Sequence, residues 1–183
     1  MLNEFISKSE TLVFFTGAGI STNSGIPDFR GPKGIWKTTQ PIYFQDFVNS
    51  KEKRIESWER KFSNELNINK AKPNQGHKKI TEIMKKKDLS HLITQNVDNL
   101  HQESGVSDSQ ITELHGNATY AKCLDCQLRY DLIELKESFL RSKEPPVCGV
   151  CNGLIKTATI SFGQPMPEEE MVIAQKKSIS CDL

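Results

Sequence analysis

Near its N-terminus the chain reads Leu12-Val13-Phe14-Phe15-Thr16-Gly17-Ala18-Gly19-Ile20-Ser21, an apolar run followed by a glycine-rich turn. A second apolar run, His91-Leu92-Ile93, precedes the polar stretch Thr94-Gln95-Asn96-Val97-Asp98-Asn99-Leu100-His101. Both runs are typical of buried parallel strands. Ligands of open α/β sheets collect outside the carboxyl ends of such strands. The two polar stretches are therefore predicted to form one dinucleotide site, in which glycines face phosphate and the amide and carboxylate groups face ribose or carboxamide.

Length and composition fit one domain with a small inserted module. The 183 residues are 36% hydrophobic, which suffices for a core and excludes a disordered chain. The net charge of +1 gives no overall field that would recruit nucleic acid or a membrane surface. The sequence shows neither a signal peptide nor an apolar run of membrane-spanning length. We therefore expect a cytoplasmic protein with reduced cysteines.

The basic residues cluster in the segment 51–87, which holds twelve Lys and Arg against five Glu. Basic helices usually keep a protein in solution, so the segment is interpreted as a solvated helical face. A nucleic-acid surface is the alternative, but interleaved aromatic residues are missing from the segment.

Four cysteines form two C-x-x-C pairs, Cys123 with Cys126 and Cys148 with Cys151, separated by 21 residues. This spacing predicts a structural Zn²⁺ held by four thiolates. A redox C-x-x-C would follow a βαβ strand, and disulfides are disfavoured in a reducing compartment. Because nucleotide-type motifs precede the cysteines and the run Thr159-Ile160-Ser161-Phe162 follows them, residues 120–155 are predicted to be an inserted zinc ribbon.

The glycine-rich turn and the loop after it offer groups suited to a dinucleotide. Gly17 permits a tight turn and Gly19 permits close approach of backbone amides to a phosphate, although Thr22 replaces the third glycine of the general fingerprint. In the following loop, Asp28 is a candidate partner of a carboxamide, Phe29 could cover a reactive carbon, and Arg30 could meet a phosphate. A plain strand-to-helix turn and a capped loop with one salt bridge are the alternatives.

Of the four histidines, His115 is the candidate general base. It lies in Glu113-Leu114-His115-Gly116-Asn117, where the glycine can leave the imidazole exposed. An ordinary imidazole pKa of about 6.5 suits proton transfer at neutral pH. His77 and His91 are interpreted as structural, and His101 as a residue behind the site.

The combination of these motifs resembles the sirtuins, the Sir2-like NAD-dependent protein deacylases. The resemblance rests on Gly17–Ser21, Gly25–Arg30, Thr94–His101, His115-Gly116, the cysteine pairs and Phe162-Gly163, and it covers about residues 11–167. It implies an α/β fold with a Rossmann-type parallel sheet (residues 1–119 and 156–183) and a small inserted zinc ribbon (residues 120–155). Family domains continue beyond Leu183, so the resemblance also implies a sheet without its C-terminal strands and a chain that lacks part of the adenosine pocket.

The resemblance also assigns roles by position. The NAD-binding set would be Gly17, Ala18, Gly19, Ser21, Asp28, Phe29, Arg30, Gln95, Asn96 and Asp98. The catalytic set would be His115, Asn96 and Asp98. The segment carrying Ile160, Phe162 and Gly163 would pair with the backbone of an acetyl-lysine substrate as an added strand. No Tyr-x-x-Arg pair follows the Phe-Arg loop, so an acidic acyl pocket is not expected.

The reaction that the resemblance implies is NAD-dependent deacetylation of protein lysine. The acyl oxygen would attack C1′ as nicotinamide leaves, Phe29 would shield C1′, and His115 would activate a ribose hydroxyl. The products would be free lysine, nicotinamide and O-acetyl-ADP-ribose. Mono-ADP-ribosyl transfer and non-catalytic binding of NAD or ADP-ribose are the alternatives. Protein substrates and oligomeric state are not fixed by the sequence.

Overall fold

The computed structural model describes residues 2–29, 31, 34–63 and 68–183. Its first sheet contains β1 (Val13–Thr16), β2 (His91–Thr94) and β3 (Ile111–Glu113), all parallel and in the order β1-β2-β3. The prediction of two adjacent parallel strands before the polar stretches is confirmed. Strand β2 is buried along its whole length, whereas Phe15 of β1 is 61% exposed, so β1 is only partly buried.

The second sheet is antiparallel and has the order β5-β4-β6. Its strands are β4 (Gly116–Cys123), β5 (Arg129–Asp131) and β6 (Ile155–Thr159). The β4–β6 ladder is irregular between Gly116 and Ala121. Strands β4 and β6 cross the positions predicted as domain boundaries, 119/120 and 155/156, and those boundaries stay a prediction.

Seven α-helices lie in the described ranges. They are α1 (Leu2–Lys8), α2 (Phe44–Asn49), α3 (Lys51–Phe62), α4 (Gln75–Met84), α5 (Leu100–Glu103), α6 (Leu132–Ser142) and α7 (Glu168–Ile179). Side-chain caps begin several of them: Ser50 accepts from Lys53 N, Asn74 from Gly76 N, and Asp131 from Ile133 N. None of the described helices is both long enough and apolar enough to cross a membrane.

A 3₁₀-helix, Ala18–Ser24, follows the glycine-rich turn where an ordinary helix start is expected from the sequence. It ends at Gly25, whose φ of 87° is left-handed and whose N–H donates to the carbonyls of Ser21 and Thr22. Three further 3₁₀ turns are found at Ile35–Lys37, Ile68–Lys70 and Asp108–Gln110. The short 3₁₀ segment brings Ser21 back toward the carboxyl end of β2.

The largest apolar cluster joins helix α3 to the antiparallel sheet. Its buried members are Trp58, Ala121, Cys123, Leu135, Phe139, Cys148 and Ile155. The basic face of α3 and α4 is mostly exposed, and three lysines of the segment, Lys53, Lys79 and Lys86, form ion pairs with Glu56 or Glu82. Lys61 lies against the second sheet instead, where its Nζ donates to the Ala118 carbonyl of β4 at 2.6 Å. The solvated-face interpretation therefore does not extend to Lys61.

Candidate functional site

The two polar stretches meet at the carboxyl end of the parallel sheet. Gln95 N donates to the carbonyl of Thr16 across the ladder at 3.0 Å. The Ser21 hydroxyl donates to the Asp98 carboxylate at 2.6 Å, and Asn96 Nδ2 donates to the same hydroxyl at 3.2 Å. Ser21, Asn96 and Asp98 are all buried. The structure thus brings together residues that are separated by more than seventy positions in the sequence.

The same three side chains form part of the wall of a small pocket. Its lining residues are Ala18, Ser21, Ile26, Phe29, Ile68, Asn96, Val97 and Asp98. Five of the residues predicted to contact NAD therefore surround one space: Ala18, Ser21, Phe29, Asn96 and Asp98. Gly17 lies next to the Gln95 side chain, since a Cβ on Gly17 would be in van der Waals contact with Gln95 Nε2, 4.0 Å away. Gly19 has open space around it, as close approach of a ligand to its backbone requires.

Asp28 is placed differently from its prediction. The Asp28 carboxylate accepts the N–H of Gly31 at 3.0 Å and is not among the residues that line the cavity. This contact matches the capped loop that the sequence leaves open as an alternative. Arg30 lies outside the described residues.

A buried hydrogen-bond network supports the cavity from behind. The Thr16 hydroxyl donates to Thr94 Oγ1 at 2.9 Å and lies 3.0 Å from His101 Nε2, and Thr94 Oγ1 accepts the N–H of Asn96. Burial, together with neighbouring His77, lowers the pKa of His101 to about 4. His101 is therefore neutral at physiological pH. The sequence places His101 behind the site but assigns no role to its partner Thr16 or to Thr94, which bonds Thr16 in turn.

His77 extends this network toward the glycine-rich turn. Its ring lies 4.7 Å from the His101 ring, and its Nε2 lies 3.5 Å from Ser21 Oγ. Burial lowers the pKa of His77, while the Asp98 carboxylate opposes the shift. Asn74 N donates to His77 Nδ1, so this histidine also completes the cap of α4, as the structural interpretation of His77 expects.

His115 lies between β3 and β4, beside Gln95. Its Nδ1 is 2.9 Å from the Gln95 carbonyl, which can only accept, so Nδ1 carries the proton. The tautomer leaves Nε2 as the basic nitrogen. Gly116 has a φ of 70°, and a Cβ there would lie 1.9 Å from the Ala158 carbonyl oxygen. Glycine is therefore required beside His115 so that β4 can approach β6 closely.

Three polar side chains absent from the predicted site fix the loop that carries His115. Asn117 Nδ2 donates to Asn99 Oδ1 at 3.0 Å and to Glu113 Oε1 at 2.8 Å. Burial raises the pKa of Glu113. Asn99 has a φ of 65°, in the left-handed region that asparagine tolerates better than most residues. No sequence motif links Asn99, Glu113 and Asn117. Only the position of Glu113 and Asn117 next to His115 in the chain could have suggested that they contribute to the site.

The predicted substrate segment follows β6 and is tied to the site at both ends. Ile160 N donates to the His115 carbonyl at 2.8 Å, and Phe44 N donates to the Phe162 carbonyl at 2.9 Å. Phe162 is 41% exposed, and its ring lies 6.0 Å from the Tyr43 ring. Gly163 has a φ of 78°, within a turn in which Gln164 N donates to the Ser161 carbonyl at 3.0 Å.

The four cysteines of the C-x-x-C pairs converge as their spacing predicts. All four sulfur atoms lie within 4.8 Å of one another, with 3.4 Å between Cys123 and Cys151 and 3.6 Å between Cys126 and Cys148. A tetrahedral Zn²⁺ with Zn–S bonds of about 2.3 Å places its sulfurs about 3.8 Å apart. The cluster therefore fits a zinc ion with no open coordination position. Cys181 lies outside it.

One aromatic side chain supports the cysteine cluster from outside. The Tyr130 hydroxyl donates to Cys148 Sγ at 3.0 Å. This bond and backbone N–H groups lower the pKa of the Cys148 thiol to about 6, which favours the thiolate that binds metal.

Fold and site together define an α/β protein with a small pocket at the carboxyl end of its parallel sheet and a four-cysteine cluster that fits a metal ion. The Sir2 family model matches residues 17–183. An NAD-dependent protein deacetylase of Rhodopseudomonas palustris is 46% identical over 182 residues, which are 100% of this chain and 72% of the relative. NAD-dependent protein deacetylase 1 of Bradyrhizobium diazoefficiens is 49% identical over 182 residues, 100% of this chain and 71% of the relative. The chain belongs to the Sir2 family.

Solved structures agree with this assignment. A Sir2 complex with a p53 peptide and NAD⁺ superimposes with a TM-score of 0.80 at 34% identity, covering 98% of this chain and 71% of that one. A Sir2 variant with a deacetylated p53 peptide and 3′-O-acetyl ADP ribose gives a TM-score of 0.83 at 33% identity, covering 98% and 72%. The resemblance that the sequence motifs indicate, and the α/β fold class with it, are confirmed.

Proposed function

We propose that the protein is an NAD-dependent protein-lysine deacetylase that produces nicotinamide, O-acetyl-ADP-ribose and free lysine. The observation that carries the proposal is the position of His115, whose backbone carbonyl binds the substrate segment while its Nδ1 binds the loop of the nucleotide cavity. One residue thus connects the two places where NAD and an acyl-lysine must meet. Two relatives are NAD-dependent protein deacetylases, and a solved Sir2 structure holds a p53 peptide and NAD⁺, which supports the same reaction for this protein.

The cavity residues provide binding and orientation. The buried Ser21–Asp98–Asn96 cluster offers fixed donors and acceptors to the nicotinamide ribose. Phe29 supplies an apolar wall that excludes water from C1′ after nicotinamide leaves. Glycines 17 and 19 let backbone amides approach the phosphates.

The chemistry needs geometry more than a strong protein nucleophile. The acetyl oxygen of the substrate forms a bond to C1′ while the bond from C1′ to nicotinamide breaks, and the electron pair leaves with nicotinamide. His115 Nε2 then accepts the proton of a ribose hydroxyl as that oxygen attacks the acyl carbon. The bond from the acyl carbon to the lysine nitrogen breaks, and the electron pair and a proton leave with the amine as free lysine. Water then adds to the acyl carbon and its bond to the C1′ oxygen breaks, which leaves the acetyl group on the ribose. The Gln95 carbonyl holds Nδ1–H throughout, so the basic nitrogen keeps its direction.

The substrate is an extended acetyl-lysine peptide that lies along Ile160, Phe162 and Gly163. Main-chain pairing gives affinity with loose sequence preference. The four thiolates of Cys123, Cys126, Cys148 and Cys151 hold Zn²⁺ in a structural role, since four sulfurs leave no position for substrate. We place the protein in the cytoplasm, where such thiolates stay reduced.

The test is mass spectrometry of an acetyl-lysine peptide incubated with the protein, with and without NAD. We expect NAD-dependent loss of the acetyl group and the appearance of O-acetyl-ADP-ribose. His115→Ala should lower turnover by a factor of about 10²–10⁴ and leave NAD affinity within about twofold, because general base catalysis is worth roughly that much.

The control is His91→Gln, since His91 is buried at the amino end of β2, away from the cavity, and binds Thr112. Unchanged turnover in His115→Ala would remove the proposed base. ADP-ribose retained on protein in place of O-acetyl-ADP-ribose would indicate mono-ADP-ribosyl transfer, and NAD binding without any product would indicate a binding module.

A further inference from the structure

The peptide group between Thr159 and Ile160 connects β6 to the substrate segment, and both of its polar atoms are used. Its N–H donates to the His115 carbonyl at 2.8 Å. Its carbonyl oxygen accepts a short hydrogen bond from Lys156 Nζ. A single peptide plane is thus held on one side by the residue proposed as the base and on the other side by a lysine.

Lys156 is unusual for a charged residue because it is only 3% exposed. No ion pair involves it within the ranges that the structure describes, and its ammonium contacts backbone carbonyls, those of Thr159 and, at 3.4 Å, Thr157. Burial alone lowers its pKa to about 8. A buried ammonium is costly, and a lysine whose only role is packing could be replaced by an apolar side chain at lower cost.

The backbone at this point is confined further by the neighbouring strand. Gly116 pairs with Thr159, and a Cβ on Gly116 would lie 1.9 Å from the Ala158 carbonyl oxygen. The regular ladder is interrupted just beyond, between Gly116 and Ala121. Lys156 therefore supplies a hydrogen bond to a carbonyl at the place where strand pairing becomes irregular.

We propose that Lys156 is a positioning residue that orients the Thr159–Ile160 peptide and thereby aligns the substrate segment, Ile160, Phe162 and Gly163, with His115. The inference deepens the proposed function and rests on it for the identity of the bound peptide. Loss of the ammonium frees the peptide plane to rotate, which weakens its bond to the His115 carbonyl. Peptide binding is then affected while the NAD cavity, built from residues of the glycine-rich turn and of the loop after β2, is not.

The experiment compares Lys156→Met, Lys156→Arg and the control Lys122→Met. Methionine keeps most of the stem and removes the donors, whereas arginine keeps the donors. Lys122 lies directly opposite Lys156 in the β4–β6 ladder and is half exposed. It is therefore a lysine of the same sheet that does not bond the Thr159 carbonyl. KM for an acetyl-lysine peptide, KM for NAD and amide hydrogen exchange at Ile160 are measured for each variant.

We expect Lys156→Met to raise the peptide KM about tenfold, as the loss of one charged hydrogen bond predicts, with NAD KM within about twofold. Exchange at Ile160 should accelerate by a similar factor. Lys156→Arg should recover most of both effects, and Lys122→Met should show neither.

Unchanged peptide KM and unchanged exchange in folded Lys156→Met would overturn the proposal. An equal rise in both KM values would also overturn it, since that result describes general loosening of the fold. If the methionine variant does not fold, Lys156→Gln is measured in its place, and failure of both to fold would assign Lys156 to folding alone. Exchange at Ile160 requires no turnover, so it still decides the role of Lys156 if the wild-type protein deacetylates no peptide.

Discussion

The parallel sheet and the cysteine ribbon are held together in different ways. At the site end of the parallel sheet, buried side chains far apart in sequence form hydrogen bonds, such as Ser21 with Asp98 and Thr16 with His101. In the ribbon, two local C-x-x-C pairs converge on one point. Each hydrogen bond contributes about 1 kcal/mol net, whereas a structural zinc site contributes roughly 10–16 kcal/mol of apparent binding free energy.

This difference determines which substitutions destabilise each region. In the ribbon, four ligands and the apolar cluster that includes Cys123 and Cys148 share the stability, and because the four ligands act on one ion, the loss of one affects the whole unit. Stability at the nucleotide site is distributed over many groups, so single losses are partial and depend on pH through the buried histidines. The two regions meet at Gly116 and Thr159, where β4 and β6 pair beside His115.

The largest effect should come from Cys148→Ser, which removes a fully buried ligand of the ribbon. We expect loss of most bound zinc and destabilisation by several kcal/mol, because metal binding free energy is folding free energy in such a unit. The zinc-to-protein ratio and a urea unfolding curve measure it. Cys181→Ser is the control, since Cys181 lies outside the cluster. Retention of one zinc per chain with an unchanged midpoint would show that the loss of one ligand does not affect the whole unit.

Gly116→Ala tests the junction between the regions. The left-handed φ of 70° and the overlap with the Ala158 carbonyl together should cost roughly 3 kcal/mol or more. Turnover should fall as well, since His115 precedes this residue. Gly149→Ala is the matched control, because a Cβ there meets nothing within 4 Å, and we expect a change of about 0.5 kcal/mol or less. Equal unfolding free energies for the two variants would contradict the tight approach of β4 to β6.

The smallest predicted effect is the pH dependence of stability that arises from His101 at the nucleotide site. The pKa of His101 is about 4 in the folded protein and about 6.5 when unfolded, so the unfolded chain binds the proton first as pH falls. The contribution of His101 to stability is complete above about pH 6.5 and decreases toward pH 4, by about 3 kcal/mol at most over that window. Urea unfolding at several pH values measures the slope.

The comparison for this slope is His101→Gln, which cannot titrate. Its stability should be lower at pH 7, because the bond to Thr16 is altered, but it should fall less steeply between pH 6.5 and 4. Acid loss of zinc affects both proteins, so the difference between slopes reports His101 together with its coupling to the neighbouring His77. Identical slopes would show that His101 is not held neutral by burial.

Much of the architecture could be predicted from local patterns. Apolar runs before Gly17 and Gln95 predict the two parallel strands, and the cysteine spacing predicts the cluster, because both signals depend on residues close together in the chain. The 3₁₀ form of Ala18–Ser24 was not predicted, since tertiary contacts of Ser21 determine how the turn continues. The Asp28 carboxylate accepts the N–H of Gly31. The sequence pattern alone could not distinguish this local contact from a contact of the same carboxylate with NAD.

Local patterns in the chain are sufficient to identify the family, the strand-and-loop order of the nucleotide site, the four cysteines and the candidate base His115. Tertiary contacts are needed to establish that His101 is neutral, that Asn117 joins Asn99 to Glu113, and that Lys156 bonds the peptide group beside His115. The physical reason is that strand pattern and ligand spacing are local properties. Burial, pKa and hydrogen-bond partners are set by groups that folding brings together from distant parts of the chain.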